Sequence, residues 1–522
     1  MKSKIYLALL LLAIGFASCE TFLEENPRDI ISPTNFFNSE SDARAAVTGV
    51  YAILKNNAIY GQVGLDAWYE NGADVIGPNR GWGIIASICS YTMNEGNAGD
   101  IQQLMGIAQT WKDLHKIALN TNVILANVQG NENIPEEARN EIIGEALFLR
   151  ALAYYHLTNL WGDVPYFREN ISIDEIGALG RTDADLIRNE ILEDLQQAQD
   201  LMLDVVPAND NGRASKWVAA MVMAKIYLTQ ERWEEARDKS LEIINNSPHE
   251  LLDDYGDVFD PFNEYNSEIV WELDFAKDLI SVLDQPFAGA AFAGNANWRA
   301  SIFSPRLRDE PLVSSEREVL RGILGSRGEA MNGTGLQIPL PDLVNKFPMN
   351  DLRRPHNILT NYEGVDLKFP YMPKLWNLDI ATSPRFNHGD NRIVFRLSDV
   401  LLMAAEAENE LNGPDNAYQY INAVRERAFA TQDEWELRDL SQSEFRETLR
   451  DERKWELAGE GHRRMDLIRW GILLDVVRST EYRVYDPAAN IQPFHVLLPI
   501  PTEELNLNPE LLASDPTNNG YR

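Results

Sequence analysis

Apolar residues return at three- and four-residue intervals along much of this chain, a spacing that predicts helices. One helix starts near Ser41-Asp42, a good N-cap pair, with Ala46, Val50, Ile53 and Leu54 as its stripe. Helical pattern returns at Trp111-Lys112-Asp113-Leu114. A long helix runs from about Pro135 to Leu160, with Ala146, Leu149, Ala153 and Leu157 along one side. Gly162 ends it and Pro165 follows. Another covers about Asp183–Leu203. Ser215 to Asn246 reads as a helix pair. A second pair spans Ser398–Asn412 and Asp415–Arg427, joined through Gly413-Pro414.

The two pairs share a spacing. Tyr227 lies three residues after Ala224, Ala236 twelve after it, and Pro248 twelve after that. Ala405 and Ala417 are again twelve apart. These are the small, aromatic, small and proline positions of the tetratricopeptide repeat, a unit of about 34 residues. Small side chains are needed where paired helices approach closely. The expected fold is therefore all-α, built from helical repeats stacked side by side.

Two regions break the pattern. Residues 57–110 are rich in Gly, Asn and aromatics and read as an irregular insertion. Residues 256–395 hold clustered glycines and little sustained period. Long irregular segments in a folded domain usually carry function, so a binding surface is expected in these two.

The first twenty residues differ again. Lys2 and Lys4 precede a mostly apolar run, Ile5 to Ala17, which closes on Ala17-Ser18-Cys19. The run is short of the ~20 residues of a membrane span. A basic start, an apolar middle and small residues before a cut site form a signal peptide. A cysteine directly after them marks a lipoprotein signal, with Cys19 carrying the lipid; Phe16 stands where such signals prefer Leu. The polar stretch 19–40, with Pro27 and Pro33, reads as a tether that docks onto the body.

The formal charge is −33, and removing a leader with two lysines and no acids takes it to −35. That excludes a nucleic-acid partner, whose phosphates demand a basic face. With Cys19 lipidated, Cys89 has no intrachain partner, and its apolar setting reads as a small buried hydrophobe. Catalytic signatures are sparse: no Gly-x-Ser-x-Gly elbow, phosphate-cradling loop or dinucleotide fingerprint occurs. His249-Glu250-Leu251-Leu252-Asp253 lacks the second His of a zinc-protease motif, and the acidic run 253–268 lacks calcium-loop spacing. No cofactor or metal is expected. Glu460 and His462 could be drawn as an acid–base pair, but 451–471 reads better as a helix of alternating charge with Trp455, Leu457 and Leu467 inward.

Aromatics in irregular segments are the remaining chemical signal. An aromatic face stacks on the apolar face of a sugar ring, while amides and guanidinium groups meet its hydroxyls. Trp82 lies in Pro78-Asn79-Arg80-Gly81-Trp82-Gly83, and Trp298 in Gly294-Asn295-Ala296-Asn297-Trp298-Arg299. We nominate Trp82, Trp298 and Tyr91 as stacking platforms and Arg80, Asn297 and Arg299 as hydrogen-bonding partners. Trp68 and Tyr69 are weaker nominees.

Several segments in order resemble the SusD/RagB family. They begin with Cys19-x3-Leu23-x3-Pro27 and the run 144–167 (GEALFLRALAYYHLTNLWGDVPYF), with Arg150, Tyr154, Gly162, Asp163 and Pro165 in place. They continue with 212–248, FRLSDVLLMAAEAENELNG, INAVRERA, DERKWELAGEGHRRMDLIRWG, LLPIPTEELNLNPEL and Asn519-Gly520-Tyr521. The resemblance implies about four tetratricopeptide-like helix pairs packed against a less regular, loop-rich ligand-binding half. It divides the chain into a signal peptide (1–18), a lipidated tether (19–40), an N-terminal region (41–255) with the insertion 57–110, and a C-terminal region (256–522) holding the variable segment 256–395 and a helical repeat at 396–470.

It further implies an outer-membrane lipoprotein facing the cell exterior. Such a protein binds oligosaccharide, or in some branches peptide, and delivers it to a partner TonB-dependent transporter of the SusC type, without bond chemistry. A surface glycosidase and a pure helical-repeat scaffold are the competing readings.

Overall fold

The computed structural model describes residues 36–61, 64–81, 83–96, 106–276, 299–305, 315, 334–362, 364–376 and 389–522. It is mostly helical. Its long helices are α1 (Glu40–Leu54), α4 (Ile107–Val128), α5 (Glu136–Trp161), α6 (Ala184–Leu201), α7 (Lys216–Thr229), α8 (Trp233–Asn246), α9 (Leu397–Asn412) and α10 (Tyr418–Glu426). Taken two at a time, these form the four expected pairs. Between α1 and α4 lie the short helices α2 (Gly64–Glu70) and α3 (Gly83–Ser90); α11 (Gln442–Glu456) and α12 (Arg463–Arg469) follow α10. Each long helix packs on the next, so the pairs form a continuous stack.

The spacing argument holds at its critical points. Ala224, Ala236, Ala405 and Ala417 are all fully buried where their helices meet. Helix α7 is apolar on nearly every side, and it and α5 from Ile142 onward are buried along nearly their whole length. Helix α5 ends at Gly162, whose φ of 70° suits glycine. A Cβ there would also stand 2.9 Å from Leu497 Cδ1. Helix α1 begins two residues earlier than the expected cap pair. Ser39 is its N-cap, and the Ser39 hydroxyl accepts from Asp42 N at 3.3 Å.

Residues that match the family-like run act as scaffold. Arg150 in α5 forks onto both oxygens of Asp194 in α6 at 2.8 Å. Asp163 caps α6 through Ala184 N. Asn519 donates to Trp161 O and Leu498 O, docking the C-terminal segment on the end of α5. Of the expected tether, only its end is described: Phe37 is buried, and its carbonyl accepts from Asn131.

Among the described residues the strands make three antiparallel ribbons. They pair β1 (Ile76–Pro78) with β3 (Gln337–Pro339), β2 (Ile269–Leu273) with β6 (Arg392–Arg396), and β4 (Leu359–Tyr362) with β5 (Val365–Tyr371).

The insertion, expected to be irregular and to carry a binding surface, is largely internal. Residues 58–61 and 64–78 are buried almost without break, and Ile59, Tyr60, Leu65, Trp68, Val75 and Ile76 belong to the main core. Its glycine content reflects close packing. The backbone of Gly64 approaches Ala58 so closely that a Cβ would lie 2.2 Å from Ala58 C. Trp68 is 1% exposed and Tyr69 is buried, so neither is a platform. Cys89 is also buried; its thiol meets Asn71 Oδ1 at 3.4 Å, and burial pushes its pKa up to about 12.

The charged stretch 451–471 is corrected as well. The helix breaks after Glu456 and resumes at Arg463, with Gly459 and Gly461 at φ 75° and 92° in the turn. Leu457 and Leu467 do face inward, and Trp455 is half-buried. The charges are inside too. Glu452, Arg453, Lys454, Glu456, Glu460, Arg463 and Asp466 are all buried.

Candidate functional site

Beneath the irregular half runs a balanced ion network. Glu456 receives Arg353 at 2.7 Å, Arg396 at 2.5 Å and Arg427 at 2.7 Å. Glu268 takes Arg396 and Arg427, Glu452 takes Arg353 and Arg425, Glu460 takes Arg396 and Lys374, and Asp351 takes Arg353. Five carboxylates thus meet five cations, joining α10 and α11 to the strands β2 and β6 and to the segments around 351–353 and 374. Buried charges persist only when paired and hydrogen-bonded. Burial alone would raise the Glu460 pKa, but Arg396 and Lys374 bring it down to about 2. Burial lowers Lys374 to about 8 against the pull of Glu460.

Smaller clusters extend this base toward the nominated loops. Asp66 in α2 is shared by Arg299 and Arg392, and Asp74 by Arg463 and Lys454. Glu70 accepts from the backbone N–H of Gly461 at 2.7 Å and of His462 at 3.0 Å. Burial raises the Glu70 carboxyl to about 7.

On this base the two nominated segments meet. Asn79 N donates to Leu336 O at 3.1 Å, and the Arg80 guanidinium donates to Thr334 O at 2.6 Å. From the other side, Thr334 N donates to Ser301 O and Leu336 N to Ile302 O. Residues 334–336 therefore clamp the stretch just before Trp82 to the helix Arg299–Phe303 just after Trp298. The ribbon β1–β3 continues the clamp. Fully buried Gln337 lies in it, and neither end of its side-chain amide has a hydrogen-bond partner.

The nominated residues fare differently. Arg80 is half-buried at this junction, beside exposed Gly81. Arg299 does not reach outward as expected. It is 9% exposed, with Nε on Asp66 at 2.9 Å and its guanidinium on Gly459 O at 2.5 Å, so it anchors the junction from below. Tyr91 is likewise inward. It is 6% exposed, its hydroxyl donates to Gly72 O at 2.5 Å, and its ring meets His495 edge-on, in a small core with Leu467 and Ile491. Cys19, Trp82, Asn297 and Trp298 lie outside the described residues. Sequence reasoning missed Thr334 and Tyr485. A Cβ on Gly81 would stand 3.1 Å from the Tyr485 hydroxyl, and nothing in the pattern around Tyr485 signals that meeting.

Among the described residues no cluster of His, Cys, Asp and Glu could hold a metal. Glu460 is buried in ion pairs with Arg396 and Lys374, whereas His462 is buried apart from it beside Asp399 and Lys225, and burial with nearby Lys225 lowers His462 to about 4. No helix among the described residues is long and apolar enough to cross a membrane.

The C-terminal part of the chain, residues 359–521, matches the model of the SusD family. Residues 21–228 match a second model, described as starch-binding associating with outer membrane. Along its whole length the chain is 57% identical to SusD-like protein P25 of Formosa agariphila, covering 100% of both. The chain belongs to the SusD family. Solved structures of SusD relatives share its fold. A SusD homolog from Bacteroides thetaiotaomicron has a TM-score of 0.76 at 21% identity, covering 92% of this chain and 97% of that one. A laminarin-binding SusD-like protein has a TM-score of 0.73 at 22% identity, covering 90% and 98%. Surface glycan-binding protein A of B. thetaiotaomicron, solved with laminarihexaose, has a TM-score of 0.72 at 19% identity, covering 92% and 100%.

Proposed function

We propose that this SusD-family chain captures oligosaccharides at the cell surface and passes them to a partner TonB-dependent transporter of the SusC type. Cys19 carries its lipid anchor on the outer membrane, facing outward. The observation that carries the reading is the clamp at 334–336, which draws the stretches flanking Trp82 and Trp298 together on a rigid, ion-paired base. Tryptophans adjoining a shared clamp in sequence would suit a chain of sugar rings, each ring stacking on an indole. Rigid support beneath such loops limits the ordering cost of binding. The names of a laminarin-binding relative and of one solved with laminarihexaose support glycan as the ligand class. The chain acts here as a binder, with Arg80 at the rim and Asn297 beside Trp298 as hydrogen-bonding partners.

The test is a panel of neutral and acidic polysaccharides and mixed peptides, measured by calorimetry and by product analysis. The expected result is saturable binding of a glycan without turnover, weakened roughly two- to tenfold by Trp82→Ala or by Trp298→Ala. Binding of peptide alone, or turnover abolished by one carboxylate substitution, would overturn the reading. Co-purification of the lipidated chain with a membrane barrel tests the transporter step, and Cys19→Ser tests the anchor.

A further inference from the structure

A second recess lies on the helical side of the molecule. It is a cleft of about 370 Å³ among α5, α6, α7, α9 and α12, and shares no residue with 79–81, 299–303 or 334–337. That volume falls within the usual range of small-molecule sites. The cleft opens to solvent past half-exposed Tyr155, Met465 and Leu497.

Its lining is mostly apolar, and the charged groups set in it are balanced. Lys225, Arg453 and Arg469 are matched by Asp399, Asp466 and Glu406. Arg188 at the edge is held by Asp185 at 2.8 Å. His462 is neutral at ordinary pH. A simple ion would find no unbalanced charge here. Hydroxyl groups would find both kinds of partner. Thr158 and Thr229 spend their protons on the helix carbonyls of Tyr154 and Lys225, leaving oxygen lone pairs to accept. Asn159 is buried and spends its amide on the Tyr69 and Tyr155 hydroxyls, and burial keeps the Tyr155 hydroxyl protonated, so Tyr155 brings a proton to donate. A group that must meet donors and acceptors at once is best a hydroxyl. The Tyr155 ring and the Leu228 and Met403 side chains add an apolar wall, suited to the CH face of a ring. The buried ion pairs hold this lining in place before any ligand arrives.

We propose that this cleft is a second binding site, taking one or two rings of a neutral sugar or a comparable polyhydroxylated molecule. It is separate from the loop face and selects for small, uncharged ligands.

The test is saturation-transfer NMR on the full mature chain with D-glucose, D-galactose and D-xylose, and with acetate and methylammonium as charged controls. At least one pyranose should bind, with neither control binding. Thr229→Trp, which fills the cleft from its half-exposed edge, should weaken that binding at least tenfold. Tyr155→Phe removes one hydroxyl and should weaken it about threefold with the melting temperature unchanged; it decides the matter if Thr229→Trp does not fold. Failure of all three sugars to bind, or binding that withstands these substitutions, overturns the proposal. Thr229→Trp should retain polysaccharide affinity, so failure of the cleft and failure of the loop face are read separately.

Discussion

The helical stack and the irregular half are held together by different forces. In the stack, α5 and α7 are wrapped in apolar neighbours, and small residues at Ala224, Ala236, Ala405 and Ala417 set how closely helices approach. In the irregular half, short strands and loops also bury apolar side chains such as Trp271, Tyr371 and Trp376, but Arg353, Arg396 and Arg427 bind them to α11 through buried ion pairs. The stack is repetitive and tolerates the loss of one contact by sharing load with its neighbours. The network is singular: Glu456 alone serves three guanidinium groups.

The largest effect is expected where the network is cut. Arg396→Ala strands Glu268, Glu456 and Glu460 without their shared cation and should cost about 3–5 kcal/mol, measured by chemical denaturation. A smaller loss is expected from Ala236→Leu, which forces α8 away from its neighbours and should cost about 1–3 kcal/mol. If Ala236→Leu proves the costlier of the two, the contrast between halves fails.

The smallest effect depends on pH. The Glu70 carboxyl holds its proton more tightly folded than unfolded, since burial raises it to about 7 from its ordinary 4.5. Its contribution is fully present below pH 4.5 and is lost as pH rises through 7. Glu70→Gln should therefore raise stability by roughly 1–2 kcal/mol at pH 8 and leave it nearly unchanged at pH 4. Equal shifts at both pH values would show that Glu70 acts through its backbone hydrogen bonds alone.

This contrast also explains what the sequence revealed. Helical packing repeats every few residues, so the spacing from Ala224 to Pro248 exposed the stack directly. Ion pairs obey no period. Arg463 meets Asp74 across 389 positions and Arg392 meets Asp66 across 326, so 451–471 read as a locally paired helix. Tyr91 was misjudged for a related reason: glycine and asparagine around an aromatic signal an irregular backbone, and here that backbone is packed inside. At the candidate site, Arg80 and the two tryptophan segments could be named from composition. Their meeting through Thr334 and Leu336 could not, because those residues act through backbone groups and one Thr334 hydroxyl bond to Ser301 O, which no sequence pattern signals.

Cys89 has a practical consequence. Its sulfur is shut within the core, and its proton is held to about pH 12, so thiol reagents that attack the thiolate find almost none of it at neutral pH. In the Cys19→Ser chain, a cysteine placed on an exposed position such as Leu507 or Val205 would then be labelled selectively, with Cys89 left in place. A fluorophore on such a handle gives an optical signal that leaves the core undisturbed.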